Sequence, residues 1–174
     1  ALDGMIFQGI LPFWLDRTVA TLLLVGFLNL YNFMDGIDGI ASAQTISIGV
    51  GLVALGASIP ALDIGIAIDG VLLVFCTLGF ALYNWHPARI FMGDIGSVVL
   101  GFIIGYILLH LATEGYWAAA LILPAYYLVD GGLTFLLRLY KKEPVWQAHS
   151  QHAYQRAVRK GYAHDVIVTK IVGF

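Results

Sequence analysis

The chain has 174 residues, of which 60% are hydrophobic and only 11% are charged, whereas soluble domains carry roughly a quarter charged residues. This composition excludes an ordinary water-soluble globule. Nine basic and eleven acidic residues argue against nucleic acid as a partner, because binding a phosphate backbone needs a concentrated basic surface.

Five stretches of the chain are apolar over about 20 residues, the length that crosses the hydrocarbon core of a bilayer. The predicted membrane helices cover residues 18–34, 40–58, 64–83, 97–112 and 116–139. A sixth apolar helix begins near Val166 and reaches the end of the chain before it is complete. Before the first helix, Phe13, Trp14 and Arg17 are typical of a segment that lies on the bilayer surface.

These elements predict an all-α fold, a polytopic transmembrane helix bundle with cytoplasmic active-site loops. We interpret residues 1–174 as a single transmembrane catalytic domain and expect it to be a fragment of a longer protein, because the last apolar stretch has no end. The single cysteine, Cys76, permits no internal disulfide.

Basic residues in the loops predict the orientation of the bundle. The loops SIPALD and TEG on one side contain no lysine or arginine. The loops after the first, third and fifth helices carry the basic residues Arg89, Arg138, Lys141, Lys142, Arg156, Arg159 and Lys160. By the positive-inside rule this second side is cytoplasmic. The residues that could carry chemistry lie on the same side, so we expect a catalytic surface at the inner membrane face.

The first motif, NLYNFMDGIDGIA, places Asn29, Asn32 and Asp35 three residues apart. On a helix this spacing keeps them within about 120° of one another. Polar side chains near the end of an apolar helix are costly unless they face a cavity, so the motif indicates a polar pocket. The alternative is an interhelical clamp made by the two asparagines, followed by an Asp-Gly turn that ends the helix.

The second motif, NWHPARIFMGDIGS, brings Asn84, His86, Arg89 and Asp94 into one short loop. Asp94 stands directly before the next predicted helix, where a carboxylate can also serve as a cap. Capping alone does not explain why the other three polar residues share the loop.

Oxygen ligands gathered at one membrane face suit Mg²⁺, which binds one or two carboxylates together with substrate phosphates. Asp94 is the first candidate ligand, and Asn32 could add a carboxamide oxygen. Asp35 or Asp38 would then be free for proton transfer or for orienting the substrate. Zinc is less expected, because a cage of histidines and cysteines is missing.

The third motif, HSQHAYQRAVRK, places His149, His152 and Arg156 on one face of a predicted helix. These side chains could clamp a diphosphate, since arginine binds phosphate through two hydrogen bonds and histidine shares protons near neutral pH. The alternative is an interfacial helix whose basic residues meet anionic headgroups. Asp130, inside the fifth helix, is either functional or paired with a residue such as Arg138.

Together the motifs resemble the polyprenyl-phosphate N-acetylhexosamine-1-phosphate transferases, glycosyltransferase family 4. NLYNFMDGIDGIA is similar to the Asn-rich DGxDG signature of that family, and NWHPARIFMGDIGS to its N-xx-PA-xx-FMGD-x-GS loop. The region of Pro124, Asp130 and Arg138 resembles its P-x5-D-x7-R helix. HSQHAYQR lacks adjacent histidines and resembles the O-antigen or capsule-initiating branch more than the cell-wall branch.

The resemblance implies an enzyme that transfers a sugar 1-phosphate from a UDP-N-acetylhexosamine to undecaprenyl phosphate, a membrane lipid, and releases UMP. It would depend on Mg²⁺, act at the cytoplasmic face of the bacterial inner membrane and initiate cell-surface polysaccharide synthesis such as that of lipopolysaccharide. Membrane enzymes of this type often pair, so a homodimer is a further expectation.

By position in the motifs, three residues are the implied catalytic groups, Asp35, Asp38 and Asp94. The implied metal ligands are Asp94 and Asn32. The expected substrate-binding residues are Asn29, Asn32, Asn84, His149, His152 and Arg156.

Two other functions stay open from the sequence. A transporter or channel could use intramembrane carboxylates such as Asp130, although polar residues would then be spread across both faces. An inactive partial subunit is the other alternative, because this chain shows no earlier loop with the paired aspartates that the family uses on the lipid phosphate.

Overall fold

The computed structural model describes residues 4–142 and 152–173, and the regular structure in these ranges is entirely α-helical. This confirms the all-α prediction. In chain order the helices are α1 (Phe13–Met34), α2 (Ile40–Ser58), α3 (Ile64–Asn84), α4 (Gly93–Thr113), α5 (Trp117–Ile122), α6 (Ala125–Tyr140), α7 (Ala153–Arg159) and α8 (His164–Val172).

Helices α1 to α4 are each 19 to 22 residues long and apolar enough to cross a membrane. At about 1.5 Å per residue they match the roughly 30 Å thickness of the hydrocarbon core. Helix α2 packs against α3, and α1 packs against α4. Small residues allow the close approach of α2 and α3: a Cβ atom at Gly49 would lie 2.8 Å from the backbone oxygen of Gly70.

The prediction of one continuous fifth helix over residues 116–139 is wrong. The segment forms two helices, α5 and α6, which are separated at Leu123 and Pro124. Leu123 keeps helical angles, with φ −56° and ψ −46°, but Pro124 has no N–H to donate and its ψ is 18°, so the ladder of hydrogen bonds opens there. The side chain of Gln44, on α2, donates to the carbonyl of Leu123 at 3.3 Å.

The start of the chain also differs from the prediction. Phe13, Trp14 and Arg17 belong to α1 and do not form a separate interfacial segment before it. Asp16 is buried, and its carboxylate accepts the backbone N–H groups of Ile6 at 3.2 Å and Phe7 at 2.8 Å. This carboxylate therefore holds the preceding segment against the first helix.

The described part of the third motif does not form the predicted single helix from end to end. Helix α7 begins only at Ala153, and His152 is its N-cap residue, with its backbone N–H donating to the side chain of Gln155 at 3.1 Å. The prediction that His152 and Arg156 share a helical face is therefore wrong, because only Arg156 lies within the helix. His149 lies outside the described residues. Helix α8 packs against both α2 and α7.

Candidate active site

One cleft of about 780 Å³ collects most of the predicted site residues. Its walls come from the end of α1, the loop that follows it, the end of α3, the start of α4 and the start of α8. The polar residues that line it are Asn32, Asp35, Asp38, Asn84, Asp94, Ser97 and His164. Five of the nine residues predicted from the motifs are thus brought together, while their chemical roles stay predictions.

Asp94 lies in the first turn of α4 and is exposed to the cleft. It does not cap the helix, since the N-cap residue is Met92 and no side-chain cap bond is present there. The hydroxyl of Ser97 lies within hydrogen-bond distance of two acceptors, the carboxamide oxygen of Asn32 and the carbonyl of Gly93, and shares its one hydrogen between them. These bonds fasten the end of α1 to the start of α4, so Asn32 and Asp94 border the same part of the cleft.

Asp35 follows the last residue of α1 and is partly buried in the cleft wall. Burial removes water from its carboxylate and raises its pKa from 3.8 to about 6. In the described part of the chain no hydrogen bond or ion pair offsets this cost. Its ionised form would therefore gain from a cation in the cleft, and its proton can exchange close to neutral pH.

Asp38 is bound by three protein groups. Its Oδ2 atom lies 2.6 Å from Nδ1 of His86 and 3.4 Å from Nδ1 of His164, and it accepts the backbone N–H of Ala88 at 3.2 Å. Burial opposes ionisation, but the His86 contact, the Ala88 N–H and the nearby His164 together lower the pKa of Asp38 below its ordinary value. This carboxylate is committed to holding loops together, which suits it poorly for proton transfer.

Asn84 is buried, and both the oxygen and the nitrogen of its carboxamide form hydrogen bonds. The oxygen accepts the backbone N–H of Gly39 at 3.2 Å and the hydroxyl of Ser42 at 3.0 Å. The nitrogen donates to the carbonyl of Ile90 at 3.0 Å. Asn84 therefore joins the loop after α1 to the loop after α3, and its expected contact with the nucleotide sugar stays a prediction.

Asn29 and His152 do not reach this cleft. They line a neighbouring groove of about 320 Å³, together with Arg138 and the edge of α6. Asn29 is exposed and donates to the carbonyl of Val25 at 2.7 Å. Asn29 lies one turn before Asn32 in the same helix and lines this neighbouring groove, whereas Asn32 lines the cleft. Arg156 is exposed on α7.

Asp130 fastens α7 to α6. Its two carboxylate oxygens accept the backbone N–H of Ala153 at 2.9 and 3.1 Å, and Tyr126 donates its hydroxyl at 3.2 Å. Nδ1 of His152 lies 3.7 Å away. One residue later, the hydroxyl of Tyr154 donates to the carbonyl of Phe33 at 3.2 Å. Helix α7 is therefore anchored both to α6 and to the end of α1, beside the cleft.

An apolar groove of about 290 Å³ runs between α1, α4, α5 and α6. It shares Gly26 and Leu30 with the groove that contains Asn29 and His152. Phe33 in turn lines both that second groove and the cleft. An apolar surface along α1, α4, α5 and α6 thus continues into a groove that also contains Asn29, Arg138 and His152 and adjoins the cleft.

Two residues of this region were missed by the sequence reasoning. His86 belongs to the second motif but was not selected for the site, and His164 was not recognised at all. The only signal for His164 was a histidine at the start of the last amphipathic helix, 126 positions from Asp38.

Comparisons with known proteins show what the sequence of this chain is similar to. The family model described as Glycosyl transferase family 4 matches residues 3–112, which include the first two motifs. A probable undecaprenyl-phosphate N-acetylglucosaminyl 1-phosphate transferase of Bacillus subtilis is 29% identical over 171 residues, covering 92% of this chain and 46% of that protein.

Two phospho-N-acetylmuramoyl-pentapeptide-transferases match shorter regions. The protein of Moorella thermoacetica is 42% identical over 107 residues, covering 58% of this chain and 31% of that protein. The protein of Heliobacterium modesticaldum is 40% identical over 96 residues, covering 55% and 29%. The chain therefore spans less than half the length of these curated relatives.

Proposed function

Because the chain belongs to glycosyl transferase family 4, we propose that it forms part of an enzyme that transfers a sugar 1-phosphate to a polyprenyl phosphate. The proposed donor is a UDP-N-acetylhexosamine, and the proposed acceptor is undecaprenyl phosphate at the cytoplasmic face of a bacterial inner membrane. One observation carries the proposal: the two motif loops meet in a single cleft that contains Asp35 and Asp94. The reaction would initiate cell-surface polysaccharide synthesis.

The grooves support a lipid acceptor. A polyprenyl chain would lie in the apolar groove between α1, α4, α5 and α6, where burial of hydrocarbon is favourable. Its phosphate would reach the polar end that contains Asn29, Arg138 and His152, since arginine and histidine bind phosphate oxygens. Asn29 and His152 would then bind the acceptor, while the cleft holds the donor. Phe33 lines both sites, so the two substrates would meet beside it.

The donor atoms in the cleft fit Mg²⁺. The carboxylate of Asp94 and the carboxamide oxygen of Asn32 are the hard oxygen ligands that this ion prefers, and Asp35 offers a further carboxylate, whose charged form burial disfavours. Asp94 and Asn32 would hold the ion. When bound, it would neutralise the diphosphate of the donor and stabilise the departing UMP.

In the proposed reaction an oxygen of the lipid phosphate attacks the phosphorus attached to the sugar. A new P–O bond forms, and the bond from this phosphorus to the bridging oxygen breaks, so UMP leaves with the electron pair. A phosphate monoester is already largely ionised near pH 7. The protein therefore contributes mainly positioning and charge stabilisation. Asn84 and Asp38 would keep the two loops in register, and Asp35 can hold a proton beside the diphosphate.

The test uses the full-length protein in detergent with radiolabelled UDP-N-acetylhexosamines and undecaprenyl phosphate. We expect lipid-linked sugar to form only with Mg²⁺ and to disappear in Asp94→Asn. Glu114→Gln is the matched control, since it removes an exposed carboxylate at the other end of the same helix. A transporter or an inactive subunit would give no lipid-linked product with any sugar, and full activity of Asp94→Asn would exclude Asp94 from the metal site.

A further inference from the structure

A compact group of one carboxylate and two imidazoles lies at the edge of the cleft. Asp38 follows α1, His86 follows α3, and His164 begins α8. Each offers one ligand atom, and in the described part of the chain these three atoms lie within 4.8 Å of one another. The two histidine rings are 5.0 Å apart between centroids. Three segments that are distant along the chain thus bring a carboxylate oxygen and two imidazole nitrogens close together.

Hydrogen bonds alone do not account for both contacts of the His164 ring. Nδ1 of His164 lies 3.3 Å from the backbone nitrogen of Asp38, which donates a hydrogen, and 3.4 Å from the Oδ2 atom of Asp38, which accepts one. Without a proton, Nδ1 accepts from the backbone but faces a carboxylate lone pair. With a proton it can donate to the carboxylate but no longer accepts from the backbone. No single tautomer of His164 serves both contacts.

A cation among the three atoms would bind a lone pair from each of them. We propose that Asp38, His86 and His164 form a binding site for a divalent transition-metal ion, represented by Zn²⁺. Two imidazoles and one carboxylate are a donor set that suits zinc and related ions, whereas Mg²⁺ prefers oxygen ligands alone. The sequence argued against zinc because no histidine and cysteine cage was visible, and His164 is the ligand that changes this conclusion.

The site differs from the Mg²⁺ position proposed at Asp94 and Asn32. Asp38 and His164 also line the cleft. A fourth coordination position of the metal would therefore face water or a phosphate oxygen of a bound molecule. A metal here would tie the loop after α1 to the loop after α3 and to α8. This role goes beyond the proposed transfer reaction and can be measured without its substrates.

The first test is calorimetric titration of the full-length protein with Zn²⁺, without nucleotide or lipid. We expect wild type to bind one Zn²⁺ per chain at this site. His86→Gln and His164→Gln should each weaken binding by about tenfold or more, because even partners that only support a metal ligand contribute that much. His110→Gln is the matched control, since His110 lies in the last turn of α4, away from this group. Its affinity for Zn²⁺ should equal that of wild type.

The second test needs no variant. Co²⁺ substituted for Zn²⁺ should show the intense visible absorption of a four-coordinate site with nitrogen ligands. A six-coordinate, all-oxygen spectrum would overturn the proposal, and so would Zn²⁺ affinity that is unchanged in the double variant His86→Gln/His164→Gln. Circular dichroism and gel filtration of each variant would verify that loss of binding is not loss of folding. Failure here would leave the transferase proposal intact, because no step of that reaction uses this metal.

Discussion

Replacing Asp35 by asparagine should stabilise the protein, and more so as the pH rises. Burial raises the pKa of this carboxyl from 3.8 to about 6 in the folded state. The folded protein therefore binds the proton more tightly than the unfolded chain does. Its contribution to stability is fully present below pH 4 and is lost as the pH rises through 6. Asparagine does not ionise, so the variant avoids this loss.

The size of the effect follows from the same pKa. Since one pKa unit is worth about 1.36 kcal/mol, the rise from 3.8 to about 6 sets an upper limit of about 3 kcal/mol. Asp35 keeps part of its exposure, and solvent screens a partly exposed charge, so we expect about 1–2 kcal/mol. For a chain of this size the corresponding rise in Tm is roughly 3–6 °C.

The measurement is thermal unfolding in detergent with a chelator, at pH 4.5, 6 and 7.5. The difference in Tm between Asp35→Asn and wild type should be small at pH 4.5 and largest at pH 7.5. Glu114→Gln, which removes an exposed carboxylate, should give a difference that does not grow with pH. A difference for Asp35→Asn that stays constant, or that turns destabilising at pH 7.5, would refute the reasoning.

Two further substitutions test the contacts around the cleft. Asn84→Ala leaves buried backbone groups without partners and should lower the free energy of unfolding by about 1–3 kcal/mol. Asn29→Ala, at an exposed amide, should change it little. Equal Tm values for the two variants would contradict the role of Asn84 in joining the two loops. Tyr154→Phe removes the hydrogen bond to Phe33 and should cost about 1 kcal/mol, with Tyr162→Phe as the exposed control. An unchanged Tm in Tyr154→Phe would show that this bond does not anchor α7.

Hydropathy and local turn signals predicted the first four helices well. The bounds of α2 agree with the prediction, because Gly39 and Pro60 stand next to its ends. The break in the fifth helix was missed because a hydropathy average counts Pro124 as one residue in an apolar run and takes no account of its missing N–H. The missing N–H of one residue thus interrupted a helix that the hydropathy of the whole segment had predicted.

The candidate site was predictable where one short motif supplied the residues. The two motifs hold Asn32, Asp35, Asp38, Asn84 and Asp94, and each motif spans the end of one helix and the residues that follow it. Contacts between distant segments were not predictable. Nothing in a single sequence pairs a histidine at the start of α8 with a carboxylate after α1. The position of Asn29 was not predictable from spacing, because Asn29 and Asn32 share the continuous helix α1 and yet line different cavities.

Because Pro124 has no N–H to donate, a change in the angle between α5 and α6 at this point would cost fewer hydrogen bonds than bending a continuous helix. Asp130 links α6 to α7, and Tyr154 links α7 to the backbone that precedes Asp35. Movement of α6 would therefore be transmitted through α7 to the backbone that borders the cleft. Under the proposed function, entry of a lipid chain beside α6 would in this way be coupled to the shape of the cleft that holds the donor.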